Sequence, residues 1–303
     1  MPKHKLNIDY DLQLLSNIRF TKHSALARHL MNGIYKSTLA LAKVKSPCVK
    51  ETVVIKRENR EDLVCDHYFE DGSFFKPLIL YFHGGGFQME ETIIHKQMYE
   101  TYANLIPASV FAVKYRLLPE YPYPHAFNDA IDAFKYVVEH QKQFGYTHLY
   151  IAGESAGGNL ALALTMWARD HGYEDIEKLC LIYPVLTKHH NLASHVTYHD
   201  TPMWNQVLNA SMWKMYLNGR EDDDYASLLE KDLSSLPPVY LETAQFDPLR
   251  DEGLLFEKKV RAAKGLITAH HTMHTVHGYD AIQSAKVTKQ MMANRIKFFK
   301  EST

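Results

Sequence analysis

The sequence predicts an α/β fold in which a mostly parallel central sheet is flanked by helices and carries a helical cap. From residue 78 to residue 184, buried strand patterns alternate with helical ones, which is typical of parallel strands joined by right-handed crossovers. The chain has 303 residues, 46% of them hydrophobic, and no low-complexity run, so one large core with an insertion is expected. We predict N-terminal cap helices at 1–45, the core at 46–186 and 227–303, and an inserted cap segment at 187–226.

The composition argues against several functional classes. The 34 Lys and Arg residues nearly balance the 35 Asp and Glu residues, so the net charge of -1 gives no electrostatic basis for binding nucleic acid or an anionic membrane. Three widely spaced cysteines without a Cys-x-x-Cys pair predict neither a disulfide framework nor a zinc knuckle. No run reaches the roughly 18 apolar residues that span a bilayer, and the basic start lacks a signal peptide's apolar segment. We therefore expect a cytoplasmic protein with no membrane span and no nucleic-acid partner.

Two kinds of element precede the parallel region. Between residues 11 and 42, apolar residues recur at helical spacing and predict two amphipathic helices. Residues 51–56 and 63–69 read as two strands joined by a polar turn, as in a hairpin at the edge of a sheet. We expect the helices to be an appendage to the core and the hairpin to be structural.

Six further strands and the helices between them make up the predicted core. The strands are short apolar runs, at 78–82, 109–114, 147–152, 178–183, 238–243 and 268–274. Helical patterns lie at about 93–105, 125–143 and 249–263, and a closing helix ends near residue 299. The prolines of 115–124 exclude a helix in that stretch.

The most informative stretch is 151–160, Ile-Ala-Gly-Glu-Ser-Ala-Gly-Gly-Asn-Leu, which contains the pattern Gly-x-Ser-x-Gly. It joins the strand at 147–152 to a helical pattern, so Ser155 lies on a strand-to-helix turn. Such a turn strains the backbone of the serine and is tolerated when Gly153 and Gly157 bring no side chain into collision. The hydroxyl then projects beside the positive end of a helix, and we interpret Ser155 as a nucleophile. The alternative is an ordinary helix N-cap.

A second motif, His83-Gly84-Gly85-Gly86-Phe87, follows the strand at 78–82 directly. Consecutive glycines let backbone N–H groups approach a ligand closely, as an oxyanion hole requires. With the N–H of Ala156, the residue after the nucleophile, we predict that two of the three glycines form such a hole. A phosphate-binding loop is disfavoured, because neither Gly-x-Gly-x-x-Gly nor Gly-Lys-Ser/Thr is present.

An acid and a base are predicted at the ends of two later strands. Catalytic groups of open α/β sheets collect at the carboxyl ends of the strands, and Asp247 and His277 lie at such ends. We assign His277 as general acid/base and Asp247 as the carboxylate that orients it. The competing carboxylates, Asp251 and Glu252, fall inside the next helix, and the competing histidines, His270, His271 and His274, fall within a strand pattern.

The inserted segment supplies candidates for a substrate pocket. It is rich in Met and Trp, and we predict that an apolar acyl pocket is lined by Phe87, Trp204, Met212, Trp213 and Tyr279. Packing against the core is an equally good reading of the Trp and Met residues. His195 and His199 have the four-residue spacing of metal ligands, but the Glu of His-Glu-x-x-His is absent beside them, so no metal site is predicted.

Taken together, the motifs resemble the hormone-sensitive-lipase-like branch of the α/β-hydrolase carboxylesterases. The matching segments are His-Gly-Gly-Gly at 83–86, Tyr-Arg-Leu-Leu-Pro-Glu at 115–120, Gly-Glu-Ser-Ala-Gly-Gly at 153–158, Asp-Pro-Leu-Arg-Asp-Glu-Gly at 247–253 and His-Gly at 277–278. The resemblance covers about residues 50–300. It implies that Gly85 and Gly86 present their N–H groups to the oxyanion and that His83 braces the loop. Departures from the family pattern at Leu118, Glu154 and Tyr279 remove no catalytic atom.

The resemblance implies a serine hydrolase that acts on short-chain acyl esters through an acyl-enzyme intermediate and needs no cofactor. The expected partner is a small-molecule ester, and a homodimer is left open. Two alternatives share the fold. The related arylacetamide deacetylases cleave amides with the same triad, and the plant gibberellin receptors bind a ligand but have lost the catalytic histidine, which this chain retains as His277.

Overall fold

The computed structural model describes residues 6–19, 25–43, 47–72, 76–106, 108–221 and 224–301. In this part of the chain, eight strands form one sheet in the order β1-β2-β4-β3-β5-β6-β7-β8. The strands are β1 (Cys48–Ile55), β2 (Leu63–Glu70), β3 (Lys76–Phe82), β4 (Ser109–Val113), β5 (Tyr146–Glu154), β6 (Ile176–Ile182), β7 (Val239–Phe246) and β8 (Ile267–Val276). β1 and β2 pair antiparallel, as do β2 and β4, and every other neighbouring pair is parallel. The predicted α/β fold and the edge hairpin are confirmed.

The helices of the described chain follow the predicted rhythm. They are α1 (Gln13–Ser16), α2 (Ala25–Leu41), α3 (Ile93–Leu105), α4 (His125–Glu139), α5 (Gln141–Phe144), α6 (Ala156–Asp170), α7 (Ala193–Thr197), α8 (Gln206–Leu217), α9 (Arg250–Ala262) and α10 (Lys286–Lys300). The first predicted N-terminal helix is only a short 3-10 turn (Tyr10–Leu12) that continues into α1. Part of that predicted region, 20–24, lies outside the described residues.

Two apolar cores lie on opposite faces of the sheet. Successive residues of β3 show this, because Leu78 and Leu80 belong to one core and Ile79 and Tyr81 to the other. The first core contains the inner faces of α4, α6 and α9, and the second contains those of α3 and α10. The central parallel strands are covered on both faces, which explains why they appear in the sequence as continuous apolar runs.

In the described chain, no helix is both long and apolar enough to cross a bilayer. This finding does not test the predicted cytoplasmic location. The three cysteines are buried and free.

The turn between β5 and α6 depends on glycine because the helix start lies against the end of β3. A Cβ atom at Gly157 would lie 2.0 Å from the carbonyl oxygen of Phe82 and 2.4 Å from that of His83. A Cβ atom at Gly153 would lie 2.2 Å from the carbonyl oxygen of Gly157. No side chain fits at these distances, so the two glycines set how closely strand and helix can approach.

Replacing Gly157 with alanine should therefore lower the free energy of unfolding by more than about 3 kcal/mol, because backbone atoms of β3 would have to move. Urea denaturation would measure the loss. Gly33→Ala in α2 is the matched control, since a Cβ atom there meets nothing within 4 Å, and alanine in a helix is worth up to about 1 kcal/mol over glycine. Equal stability of the two variants would contradict the close approach.

Candidate active site

Ser155 occupies the turn between β5 and α6 in a backbone conformation that side chains rarely adopt. Its φ and ψ are 53° and -119°. Hydrogen bonds hold this conformation on both sides: Ser155 N–H donates to the carbonyl of Ile182 at 2.9 Å, and Val185 N–H donates to the carbonyl of Ser155 at 3.0 Å. Strain of this kind persists only where the surroundings enforce it, and it accumulates at functional sites.

Three strand ends bring together the serine, histidine and carboxylate expected from the sequence. Ser155 Oγ lies 2.8 Å from His277 Nε2. His277 Nδ1 lies 2.7 Å from Asp247 Oδ2, and the other oxygen of Asp247 accepts the N–H of Leu249 at 2.9 Å. All three side chains are buried, with Asp247 fully so. A hydroxyl, an imidazole and a carboxylate in this order can activate the hydroxyl as a nucleophile.

Three backbone N–H groups are available beside Ser155. Gly85 and Gly86 line the same cavity as Ser155 and His277, and Ala156 is the first residue of α6. In the described chain, the N–H groups of Gly85, Gly86 and Ala156 have no hydrogen-bond acceptor. The glycines have φ values of 121° and 62°, a conformation that a side chain would disfavour. Free donors next to a nucleophile can stabilise an oxyanion.

Gly84, one of the three candidate glycines for the oxyanion hole, does not offer a free donor. Its N–H donates to the carboxylate of Glu154 at 3.1 Å, so it is not free for an oxyanion. Glu154 also accepts a hydrogen bond from Tyr81 Oη at 3.1 Å and pairs with His95 Nε2. The carboxylate thereby ties the glycine loop to β3 and α3.

Sequence reasoning missed this role of Glu154 and overlooked His95 altogether. Burial would raise the pKa of Glu154, but His95 and the Gly84 N–H bond lower it to about 2. The carboxylate is therefore charged at neutral pH. The sequence did offer a clue to the role of Glu154. It stands between the two glycines of the Gly-x-Ser-x-Gly pattern, at the end of β5, and β5 pairs with β3, which leads into the glycine loop. His95 lies on α3 with nothing in the sequence to link it to Ser155.

His83 supports the same loop as a neutral side chain. Its ring stacks on that of Tyr115, with 4.5 Å between centroids, and its Nδ1 lies 2.7 Å from the carbonyl oxygen of Gly84. Burial, together with the neighbouring His95, lowers the pKa of His83 to about 3. The Nδ1–H group can then donate to the carbonyl without the ring carrying charge.

This shift predicts an acid-sensitive fold. An unfolded histidine takes up a proton near pH 6.5, whereas folded His83 does so only near pH 3. The unfolded state therefore binds more protons between these values, and the free energy of unfolding falls as the pH drops, by about 2 kcal/mol for this group between pH 7 and pH 5. His83→Asn keeps a donor near the Nδ1 position but does not titrate, so its stability should depend less on pH. Urea denaturation at several pH values measures this. If the free energy of unfolding fell equally with pH in the variant and the parent, the role assigned to His83 would be wrong.

A buried charge network lies behind His277. Arg295 of α10 donates to both carboxylate oxygens of Glu242, at 2.8 and 2.5 Å, and to Asp280 at 3.1 Å. Asp280 also accepts a hydrogen bond from Tyr183, whose ring lies 4.6 Å from that of His277. The sequence did not indicate this network, since its members come from β7, α10 and two loops. It braces the loop that carries His277.

The cavity beside Ser155 has a volume of about 590 Å³. Of the five predicted pocket residues, only Trp204 lines it. The Trp204 ring lies 6.0 Å from that of His277, and a Cβ atom at Gly86 would lie 2.8 Å from it. Trp204 therefore closes the cavity over the glycine loop.

The other four predicted pocket residues belong to the two cores, so the expectation for them was wrong. Phe87 stacks on Tyr216 with 3.9 Å between ring centroids, and Met212 and Trp213 pack in the same core. Tyr279 is fully buried and donates to Glu242 at 2.6 Å. The Met and Trp face of α8 is turned inward, because burying large apolar side chains stabilises the attachment of the inserted segment.

The remaining sequence candidates have structural contacts. His195 pairs with Glu252 at 2.9 Å in a buried contact, and Glu252 also accepts the N–H of Leu186 at 2.6 Å. Asp251 accepts the N–H of Ser194 at 2.8 Å. Among the described residues, no group of three or more His, Cys, Asp or Glu side chains could hold a metal ion. These contacts attach the inserted segment to α9.

Comparison with known proteins places this geometry in context. Residues 79–281 match the sequence profile of a family described as alpha/beta hydrolase fold. Esterase LipI of Mycobacterium tuberculosis is 34% identical over 209 residues, which are 67% of this chain and 65% of that protein. Carboxylesterase NlhH of the same species is 31% identical over 211 residues, which are 67% of this chain and 66% of that protein. The chain thus spans just under two thirds of the length of these relatives.

Solved structures agree over nearly the whole chain. A structure named bacterial heroin esterase superposes with a TM-score of 0.88 and 26% identity, covering 97% of both chains. The hyperthermophilic esterase of the archaeon Pyrobaculum calidifontis superposes with a TM-score of 0.85 and 28% identity, covering 95% of this chain and 96% of that one.

Proposed function

The chain belongs to the α/β-hydrolase fold family, in its hormone-sensitive-lipase-like branch, and from this premise we propose that it is a serine carboxylic ester hydrolase acting on short-chain acyl esters. The observation that carries the proposal is the continuous chain of hydrogen bonds from Ser155 through His277 to Asp247, at 2.8 and 2.7 Å. Relatives named esterase and carboxylesterase support the reaction class.

In the proposed acylation, Ser155 Oγ attacks the ester carbonyl carbon while His277 Nε2 takes its proton. Asp247 holds the other ring nitrogen and stabilises the imidazolium that forms. The carbonyl oxygen becomes an oxyanion that accepts hydrogen bonds from the N–H groups of Gly85, Gly86 and Ala156. His277 then gives the proton to the leaving alcohol, and the acyl group remains on Ser155.

Deacylation repeats the sequence with water as the nucleophile. His277 takes a proton from water, the hydroxide attacks the acyl carbonyl, and the proton returns to Ser155 as the acid leaves. The step requires no group beyond those named and water. The net reaction converts an ester and water into a carboxylic acid and an alcohol.

Short acyl groups are proposed because Trp204 lies over the glycine loop and limits the space beside the oxyanion donors. The cap is proposed to comprise residues 1–45 and 187–226. Met31 and Tyr35 of α2 and Leu208 of α8 line the cavity, which is what a cap over the site requires. The homodimer stays a prediction.

The test is hydrolysis of p-nitrophenyl esters from acetate to decanoate, together with covalent labelling by a fluorophosphonate. We expect labelling of Ser155 and a maximum of kcat/KM at or below about six carbons, since a longer chain would meet Trp204. Failure of both labelling and hydrolysis would favour the ligand-binding alternative. A matched pair of an ester and the corresponding anilide decides between ester and amide hydrolysis, and a faster anilide would refute the carboxylesterase assignment.

A further inference from the structure

The cavity is longer than a short acyl ester needs. Beyond Ser155 it continues along one face of α3, where Ile94, Met98, Thr101 and Leu105 line it. These residues are spaced by three or four positions and therefore share one side of the helix. At a rise of 1.5 Å per residue, the face from 94 to 105 is about 16 Å long.

The opposite wall is the facing side of α10. Met292, Ala293 and Ile296 line the cavity there, again at the spacing of one helix face. The space between the two helices is closed below, because Met98 Sδ lies 3.9 Å from Arg295 Nη1 and the rings of Tyr102 and Phe299 lie 5.7 Å apart. We call this channel the α3–α10 groove.

The groove walls are mostly apolar and only partly covered. Leu105 is 51% exposed, and Met292 and Ile296 are half-buried. A mostly apolar wall that opens into the cavity beside Ser155 is typical of a site that binds an apolar group. The charged side chains nearest Ser155 are paired, Glu154 with His95 and Asp280 with Arg295. Lys289 of α10 also lines the cavity, and it is exposed to solvent.

We propose that the α3–α10 groove binds the alcohol half of the substrate, and that this half is an extended, uncharged, apolar chain. The proposal rests on the esterase function proposed above and names its substrate class: a short acyl group esterified to a medium- or long-chain alcohol. The groove is continuous with the site of reaction, since its lining residues and Ser155 belong to one cavity.

The position of His277 assigns the alcohol to the groove. His277 Nε2 delivers the proton to the leaving oxygen, so the alcohol must extend from the histidine side of the reacting carbon. Ala281, four residues after His277, lines the cavity, and α10 begins five residues later at Lys286. The groove wall therefore continues directly from the loop that carries the general acid.

The experiment compares acetate esters of ethanol, butanol, hexanol and octanol by pH-stat titration. Burying each additional methylene favours binding, so we expect kcat/KM for octyl acetate to exceed that for ethyl acetate by roughly tenfold or more, with most of the change in KM. In the series of p-nitrophenyl esters from acetate to decanoate, kcat/KM should not increase with chain length in this way.

Ala293→Trp tests the groove directly, because the indole would occupy the space between α10 and α3. The ratio of kcat/KM for octyl acetate to that for ethyl acetate should fall to about one. Gln290→Trp is the matched control, since Gln290 is an exposed residue of α10 that does not line the cavity. That control should keep the ratio of the parent.

Three results would overturn the proposal. The first is a flat alcohol series, and the second is a ratio that Ala293→Trp and Gln290→Trp change equally. The third is a preference for long acyl chains that Ala293→Trp removes, which would assign the groove to the acyl half. In each of these three results ethyl acetate is still hydrolysed. If the proposed function were wrong, by contrast, no ester would be hydrolysed.

Discussion

Replacing Ser155 with alanine is expected to lower kcat for p-nitrophenyl butyrate by about 10⁵-fold, because the reaction loses its nucleophile. The hydroxyl is the only group of the triad that forms a bond to the substrate. The oxyanion donors and the cavity remain, so a small residual rate above that of water is expected. Stopped assays over hours would measure it.

The variant should fold normally, since Ser155 Oγ contacts His277 and makes no capping bond in α6. Its urea denaturation curve is the first control. Ser37→Ala is the second, because Ser37 is exposed on α2 and its hydroxyl bonds only within that helix. We expect Ser37→Ala to retain parental activity and fluorophosphonate labelling, and Ser155→Ala to lose both. Parental turnover by Ser155→Ala would end the proposed mechanism.

Replacing Asp247 with asparagine is expected to lower kcat/KM by roughly 10³- to 10⁴-fold. The shape of the side chain is preserved, but an amide in place of Oδ2 can donate to His277 Nδ1. The imidazole would then carry its proton on Nε2 and could not accept one from Ser155. Asp247 is fully buried, so bulk solvent does not reach the site of the lost carboxylate.

Asp251→Asn is the matched control for Asp247→Asn. Asp251 was the competing carboxylate of the same sequence motif, and its oxygens instead accept the N–H of Ser194 and pair with Arg250. We expect its substitution to change kcat/KM less than about threefold, because neither contact involves Ser155 or His277. A larger loss from Asp251→Asn than from Asp247→Asn would show that the orienting carboxylate was assigned wrongly.

Much of the fold could be predicted because its central elements are locally consistent. The strands of the parallel sheet are apolar runs bounded by turn residues, and the helices between them show helical periodicity. Ser155 was identified from the Gly-x-Ser-x-Gly pattern on a strand-to-helix turn, and Asp247 and His277 from their places at strand ends. The N-terminal region was predicted less well, because its helical periodicity did not reveal that the first predicted helix is only a 3-10 turn followed by the four-residue α1.

The pocket could not be predicted, because residue type alone does not tell which side of α8 faces the core. Met212 and Trp213 could have faced either the cavity or the core. They pack in the core, where removing their apolar surface from water stabilises the fold. The resemblance favoured Gly85 and Gly86 for the oxyanion hole, but the run of three glycines alone did not exclude Gly84. Glu154 takes its N–H group, and this contact exists only where β3 and β5 pair.

The amino-acid sequence by itself determined the fold class, the order of the elements and the identity of the three groups proposed for catalysis, because these depend on local patterns and on a general rule about sheets. The tertiary structure decided which backbone donors are free, which side chains line the cavity, and that a groove extends between α3 and α10. Those features depend on distances between segments far apart in the chain, and such distances arise only when the strands pair and the helices pack.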